Sequence, residues 1–460
     1  MEKRTAALLG ATSIAAITGL SIWRMREHPA GQPMPELTRR GSKPRVVIVG
    51  AGFAGLSAAM RLVRARDQLE IVVLDRYNYN VFTPLLYHLA ASLVDVESIT
   101  VPMRTVAYRL GFAFRQAEVR SVDVAKRELQ TTLGSVLYDY LILAPGSVPT
   151  FFGLESARKY SYPLKTVTDA SQIRARVLEA FEAADRAADD EERRRRLSIG
   201  IVGGGPTGLE LAGALVALVK DLAGREYPNI HPSDVTVTVF EALPSVLPGM
   251  PDKLKAGAVE QLSARGVTVR TNAPVADVAS NEIVLRSGER FPVGLIVWAA
   301  GVEGSPLLGG LPVEHLRNKR VVVAPTLQIP GYPTVYVIGD SAAGPPGTTY
   351  PAVAPVAIQM GRTAADNILR QVHGQPVRPF RYRDRGNLVM TGRYAAVANV
   401  YGIKFDGFLA WLLWRILHLS WLTTLRSKAE VLLDWAFVYI GPRLTALIEQ
   451  PVPVAPTTGT

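Results

Sequence analysis

Six glycines in two matched groups set what this chain can do. Gly50, Gly52 and Gly55 follow the spacing G-x-G-x-x-G, and Gly203, Gly205 and Gly208 repeat it. In such a turn the first glycine allows the chain to reverse, the second lets the backbone approach a pyrophosphate, and the third lets the next helix close on its strand. The free N–H groups at the helix start then hold the phosphates. A carboxylate at the end of the following strand completes the site by accepting from a ribose 2′-OH. Asp75 stands 75 − 55 = 20 residues after Gly55, the expected distance. Glu241 stands 241 − 208 = 33 residues after Gly208, and residues 221–234 read as the insertion that lengthens the gap. An acidic residue at 241 favours a free 2′-OH, hence NAD over NADP.

The flanking patterns supply the elements such a site needs. Residues 45–49 and 70–74 are short apolar, β-branched strands around a helix predicted over 56–62. Residues 197–202 and 235–240 repeat this around an Ala- and Leu-rich helix over 209–219. Two nicotinamide sites have no obvious joint chemistry, whereas a flavin beside a nicotinamide makes a hydride relay. A third segment separates the two roles. The strand 334–338 ends in Gly339-Asp340, whose carboxylate can accept from a ribityl hydroxyl, and a helix begins at Ala354 with its N-terminus facing the flavin pyrimidine end. The first turn and this late segment build one FAD site, and the second turn takes NADH. The expected fold is α/β: two Rossmann-like dinucleotide-binding domains, the NAD domain inserted in the FAD domain, plus a C-terminal amphipathic helical membrane-binding region.

Composition narrows the function further. At 460 residues, 48% hydrophobic and 20% charged, the chain is long enough for two or three domains with real cores. The expected division is an N-terminal apolar segment and linker (1–43), the first stretch of the FAD-binding domain (44–160), the NADH-binding domain (161–298), the second stretch of the FAD-binding domain (299–385) and a C-terminal membrane-attachment region (386–460). The net charge of +11 comes without a basic run interleaved with stacking aromatics, which argues against nucleic acid and for an anionic bilayer surface. Arg193 to Arg196 follow an acidic stretch and read as a solvated helix end or loop. With no cysteine there is no disulfide, thiolate metal site or redox C-x-x-C, so redox chemistry belongs to a cofactor and no metal is expected. Residues 5–23 are uncharged and about one membrane span long, open to reading as a signal anchor, a cleaved signal peptide or a loose tail. The heavier positive charge after this stretch argues for an N-out anchor with the catalytic body facing the cytoplasm.

Seven ordered segments resemble the type II NADH dehydrogenases, single-chain NADH:quinone oxidoreductases of the two-dinucleotide-binding-domain flavoproteins. They are residues 46–55, 75–80 with 82–87, 138–146, 203–210, 298–302, 337–340 and 353–359. The likeness implies that Gly50, Gly52, Gly55, Asp75, Ala144, Gly146, Gly339 and Asp340 contact FAD. It places Gly203, Gly205, Gly208 and Glu241 at NADH, Gly301 among the cofactor-binding residues, Glu210 beside the nicotinamide, and Gln359 near the flavin dione and quinone. Two departures fall on the quinone side. Ala354-Pro355-Val-Ala357-Ile-Gln359 lacks one amide of the family's A-Q-x-A-x-Q, and His88 stands where many members have glutamine. The resemblance implies a ping-pong, non-proton-pumping cycle from NADH through FAD to a membrane quinone, with monotopic attachment and a candidate homodimer contact.

Single residues carry competing readings. Glu210 fits a catalytic or gating role, or simply a carboxylate favoured by the helix dipole on a first turn. His88 could protonate reduced quinone or be a hydrogen-bonded structural histidine. Tyr77, Tyr79, Phe82 and Tyr87 could line a quinone channel or simply pack. The C-terminal stretches 407–422 and 431–440, separated by 423–430, are apolar and rich in tryptophan, but Arg415, His418 and Asp434 argue against spans. An interfacial hairpin fits, with Trp411, Trp414, Trp421 and Trp435 at the headgroups and Arg415 pairing with Asp434; a buried dimer interface is the alternative. A sulfide:quinone oxidoreductase needs cysteines that are missing here. A diaphorase with another acceptor would not need the apolar foot, and a membrane-docked flavin scaffold or redox sensor would bind FAD without turnover.

Overall fold

The computed structural model describes residues 34–39, 41–441 and 445–447, so the N-terminal segment 5–23 lies outside the described residues. Two parallel sheets dominate. The first runs, strand beside strand, Gln328–Ile329, Tyr332–Val337, Tyr140–Leu143, Arg45–Val49, Glu70–Asp75 and Ala113–Gln116. The second runs Tyr162–Pro163, Leu295–Trp298, Ser198–Val202, Thr236–Phe240 and Val267–Arg270. The strands Arg45–Val49 and Leu295–Trp298 are buried at every position, Val46–Val49 and Leu295–Trp298 as apolar runs and Arg45 paired with Glu70.

The two sheets are built alike. Each glycine turn leaves a strand flanked on one side by the strand that ends in its acidic residue and on the other by a later crossover strand. That is the point where strand order reverses, and ligands of open α/β sheets bind there, beyond the strand C-termini. Tyr332–Val337 pairs with Tyr140–Leu143, so the first sheet is finished only after the second has been threaded through. The helices Phe53–Leu62 and Pro206–Leu222 start inside the glycine motifs, three residues earlier than the apolar periodicity alone suggests, because Gly52 and Gly205 are their N-caps.

Behind the second turn, the antiparallel sheet Gly386–Gly392, Ala395–Val400 and Ile403–Asp406 carries the C-terminal foot. Gly213 lets the Pro206–Leu222 helix touch it, since a Cβ there would lie 2.5 Å from the Thr391 carbonyl oxygen. The foot is two helices, Phe408–Trp421 and Leu425–Ile440. The second swallows most of the expected 423–430 separator. Thr424 caps it through the Ser427 N–H at 3.0 Å, and the polar residues after it contain no breaker.

Inside the foot the packing differs from expectation. Trp411, Trp414 and Trp435 are buried against the body, and Trp421 is half-buried, while Leu409, Leu412, Ile416, Leu432, Leu433 and Phe437 are exposed. The large rings fill the wide gap beneath the foot, and smaller apolar side chains face outward. Arg415 and Asp434 do not pair. The Arg415 guanidinium lies over Trp435 at 4.2 Å and donates to the Tyr439 hydroxyl at 2.8 Å. Asp434 accepts from the Ser98 hydroxyl at 2.7 Å. Among the described residues no helix is long and apolar enough to cross a membrane. Arg193 to Arg196 end a short helix, Asp190–Arg196, capped by Asp189 and tied by Arg196 to Glu192 at 3.0 Å.

Candidate active site

The two glycine turns share the same constraints. Gly50 and Gly203 hold φ of 97° and 116°, left-handed values that suit glycine. A Cβ on Gly55 would lie 1.8 Å from the Gly50 carbonyl oxygen, and one on Gly208 would lie 1.9 Å from that of Gly203. A Cβ on Gly52 or Gly205 would meet nothing within 4 Å. Those two glycines face open space at helix starts without side-chain caps, which is the room and the donor set a pyrophosphate requires.

The acidic residues are held in the same way. The Ala51 N–H donates to Asp75 Oδ2 at 2.6 Å and the Tyr77 N–H to Oδ1 at 2.8 Å. The Gly204 N–H donates to Glu241 Oε2 at 2.6 Å and the Leu243 N–H to Oε1 at 2.8 Å. Each turn thus orients its own carboxylate at the end of the following strand. Burial raises the Asp75 carboxyl above its ordinary range, against the lowering effect of its two backbone donors and of Arg76.

The first turn opens into a cleft of about 390 Å³. Its walls bring together Gly50, Gly52, Asp75, Ala144, Gly146, Gly339, Asp340 and Glu210, as the sequence predicts. Gly55 stays behind the turn as a packing position. The cleft also contains residues that no motif announces. Asn80 donates to the Ala51 carbonyl at 2.6 Å, and Asp340 Oδ2 accepts from Ser147 at 2.8 Å and from Lys165 at 3.3 Å. Lys165 and Ser147 lack a signal because both meet Asp340, 175 and 193 residues further along the chain.

Glu210 lies in the second turn of its helix, half-buried on the wall of the cleft and engaged by two donors, so a simple dipole-favoured surface carboxylate does not describe it. Its Oε1 accepts from the Met390 N–H at 3.2 Å and from Trp414 Nε1 at 3.1 Å. Burial outweighs both donors and pushes the carboxyl up to about 8, leaving Oε2 to carry a proton at neutral pH. Beneath it His418 stacks on Trp414 at 3.7 Å, and burial pushes its imidazole down to about 4.

Gln359, His88 and Gly301 lie apart from this cleft. Gln359 lines a second, mostly apolar cavity of about 160 Å³ with Phe53, Leu56, Pro355, Leu417 and Trp421. Its amide is engaged with the Arg383 backbone, donating at 3.1 Å and accepting at 3.0 Å. Phe53 and Asn80 wall both cavities. His88 is fully buried between Tyr87, Trp414 and Trp435, accepts from Trp435 Nε1 at 3.1 Å, and lines neither cavity. Its surroundings are those of a packed structural histidine. Tyr77, Tyr79 and Tyr87 line the cleft at the first turn; Phe82 packs edge-on against Phe53. Gly301 sits beyond the second turn at φ 145°, where a Cβ would lie 3.2 Å from the Phe152 ring.

Fold and site define a protein with two Rossmann-like glycine turns, the first opening into a cleft that the helix of the second reaches through Thr207 and Glu210. The model of the pyridine nucleotide-disulphide oxidoreductase family matches residues 44–361. The type II NADH:quinone oxidoreductase Ndh of Mycobacterium tuberculosis is 35% identical over 433 residues, covering 90% of this chain and 91% of that protein. The structure of NDH2 from Plasmodium falciparum in complex with NADH superposes with a TM-score of 0.81 at 19% identity, covering 88% of this chain and all of that one. The sulfide:quinone oxidoreductase of Aquifex aeolicus shares the fold at a TM-score of 0.68 and 19% identity, covering 88% and 92%. The chain belongs to the pyridine nucleotide-disulphide oxidoreductases and, within them, to the type II NADH:quinone oxidoreductases. It has no cysteine, so the disulfide of the family name is not its electron acceptor.

Proposed function

We propose that the cleft holds FAD, that the second turn presents NADH to it, and that a membrane quinone enters from the foot side through the apolar cavity. The reaction class is NADH:quinone oxidoreduction, NADH + H⁺ + quinone giving NAD⁺ + quinol. A bound FAD supplies hydride acceptance from NADH and two-electron delivery to quinone. The chain's residues supply geometry and protons. The uncapped helix starts at Gly52 and Gly205 orient the pyrophosphates, and Asp75 and Glu241 take the ribose hydroxyls. Glu210, whose carboxyl burial raises to about 8, can hold a proton on the wall of the first cleft for delivery during the cycle.

The observation that carries the quinone reading is the shared wall of Phe53 and Asn80, which sets an apolar cavity of the foot directly against the flavin cleft. The exposed face of the foot, with Leu409, Phe437 and Ile440 at 67%, 68% and 85% exposure, supports docking on a bilayer surface. A candidate homodimer contact would have to use a different area of this face.

Steady-state NADH oxidation with a short-chain quinone tests the reading. Rapid turnover with NADH and much slower turnover with NADPH are expected. A yellow protein without turnover would instead be a docked flavin scaffold, and equal use of NADPH would remove the role given to Glu241.

A further inference from the structure

Five charged residues line the flavin-side cleft: Asp75, Arg76, Lys165, Glu210 and Asp340. They are unevenly spread. Asp75 and Arg76 belong to the ribose end, where the Arg76 guanidinium lies over the Tyr77 ring at 4.9 Å. At the inner end, with Glu210 and Asp340, Lys165 is the one cation among the described lining residues.

Lys165 is held there from two sides. Its backbone N–H donates to Asp169 Oδ2 at 3.0 Å, beside the capping box in which Thr166 starts the Val167–Asp185 helix. Its ammonium donates to Ser147 Oγ at 2.8 Å and to Asp340 Oδ2 at 3.3 Å. The residue thus stems from the strand and helix that open the NADH-binding segment and delivers its charge into the cleft of the other nucleotide. The Lys165 and Asp340 side chains are 30% and 21% exposed, so their charges are only partly screened.

We propose that Lys165 is the positioning cation that stabilises the reduced state of the flavin, a step beyond the function above that rests on the reading of this cleft as a flavin site. A flavin bound here would accept hydride from NADH, leaving NAD⁺, and its ring would then carry a negative charge. Charge near the flavin ring is one of the few means by which a protein tunes that couple. Burial favours the neutral form of Glu210, and Lys165 is the one side-chain cation that lines this end of the cleft, so its ammonium opposes the new charge directly. Lys165 also spans the two nucleotide-binding regions, so the same contact ties the NADH side to the flavin's electron affinity.

The test uses the flavin-loaded wild type and the variants Lys165→Met, Lys165→Gln and Lys165→Arg. The flavin midpoint potential is measured by spectroscopic redox titration, and sulfite affinity by bleaching of the flavin band. Sulfite adds at the ring and leaves the same negative charge without NADH or quinone. Loss of the cation should weaken the reduced state about tenfold or more, read as a fall of about 30 mV for the two-electron couple. Sulfite affinity should drop by a similar factor, and Lys165→Arg should keep both near wild type. Flavin-replete Lys165→Met with unchanged potential and sulfite affinity overturns the proposal, leaving Lys165 as a latch seen only in a lower Tm. If the Met variant does not retain flavin, the Gln and Arg variants decide on the same criterion. A wild type that cannot be loaded with flavin fails differently, because it removes the reading of the cleft itself.

Discussion

Glu210 sits in an environment far from its ordinary chemistry. Its carboxyl titrates near 8 because burial outweighs two donors. Glu210→Gln can still accept from Met390 and Trp414 but cannot release a proton. Quinone turnover should fall about 10²-fold, and the decline of wild-type kcat/KM above pH 8 should disappear from the variant's pH profile. The stability consequence has a definite sign. Between the ordinary pKa and about 8 the folded state holds a proton that the unfolded state has lost, so wild-type stability falls as pH rises through that window. Thermal melts of the variant should lack this fall. At the second turn, Glu241→Ala frees the Gly204 and Leu243 N–H groups and should raise KM for NADH about tenfold, roughly 1.4 kcal/mol, while narrowing the preference over NADPH. Asp75, Glu241 and the six glycines were legible because their roles follow from spacing along one βαβ unit. Lys165, Ser147 and Trp414 were not, since each acquires its role only when distant segments meet. For His88 the sequence left two roles open, and its neighbours, two tryptophans from the far end of the chain, favour the structural one.

At the scale of elements, the C-terminal helices show where composition informs and where it misleads. Their apolar, tryptophan-rich content identified the foot, but not which face the rings occupy. Tryptophans at an aqueous interface and tryptophans filling a gap under a helix give the same sequence signal, and burial of Trp414 and Trp435 selects the second. Arg415 and Asp434 likewise looked complementary, yet an aromatic cage and Ser98 satisfy them separately. The outward face is instead Leu, Ile and Phe. Leu409→Asp combined with Phe437→Asp should move the protein from the membrane to the soluble fraction in flotation assays, with NADH oxidation by a short-chain quinone retained. The foot should also be sensitive to acid. His418 is held neutral with its pKa near 4, so below about 6.5 the unfolded state takes a proton that the folded state refuses. Stability is therefore present above that pH and lost as pH falls toward 4. His418→Gln should flatten this slope in melts monitored by far-UV circular dichroism.

For the molecule as a whole, a basic body stands on an apolar foot. With a net charge of +11, binding to vesicles containing anionic lipid should weaken as salt rises past about 0.15 M, where the screening length is about 8 Å. A salt-resistant remainder should persist through the apolar face and vanish in the double-Asp variant. The inserted arrangement of the two nucleotide domains was readable from the order of turns and acidic strand ends. How the foot meets the catalytic cleft was not, because it depends on an antiparallel sheet and two helices folding back under the second turn. Trp414 belongs to the foot, yet its indole donates to Glu210. On the proposed bilayer docking, attachment of the foot and proton occupancy at Glu210 would be linked equilibria, and linkage is reciprocal: whatever factor the bilayer imposed on proton affinity there, a proton would impose on affinity for the bilayer.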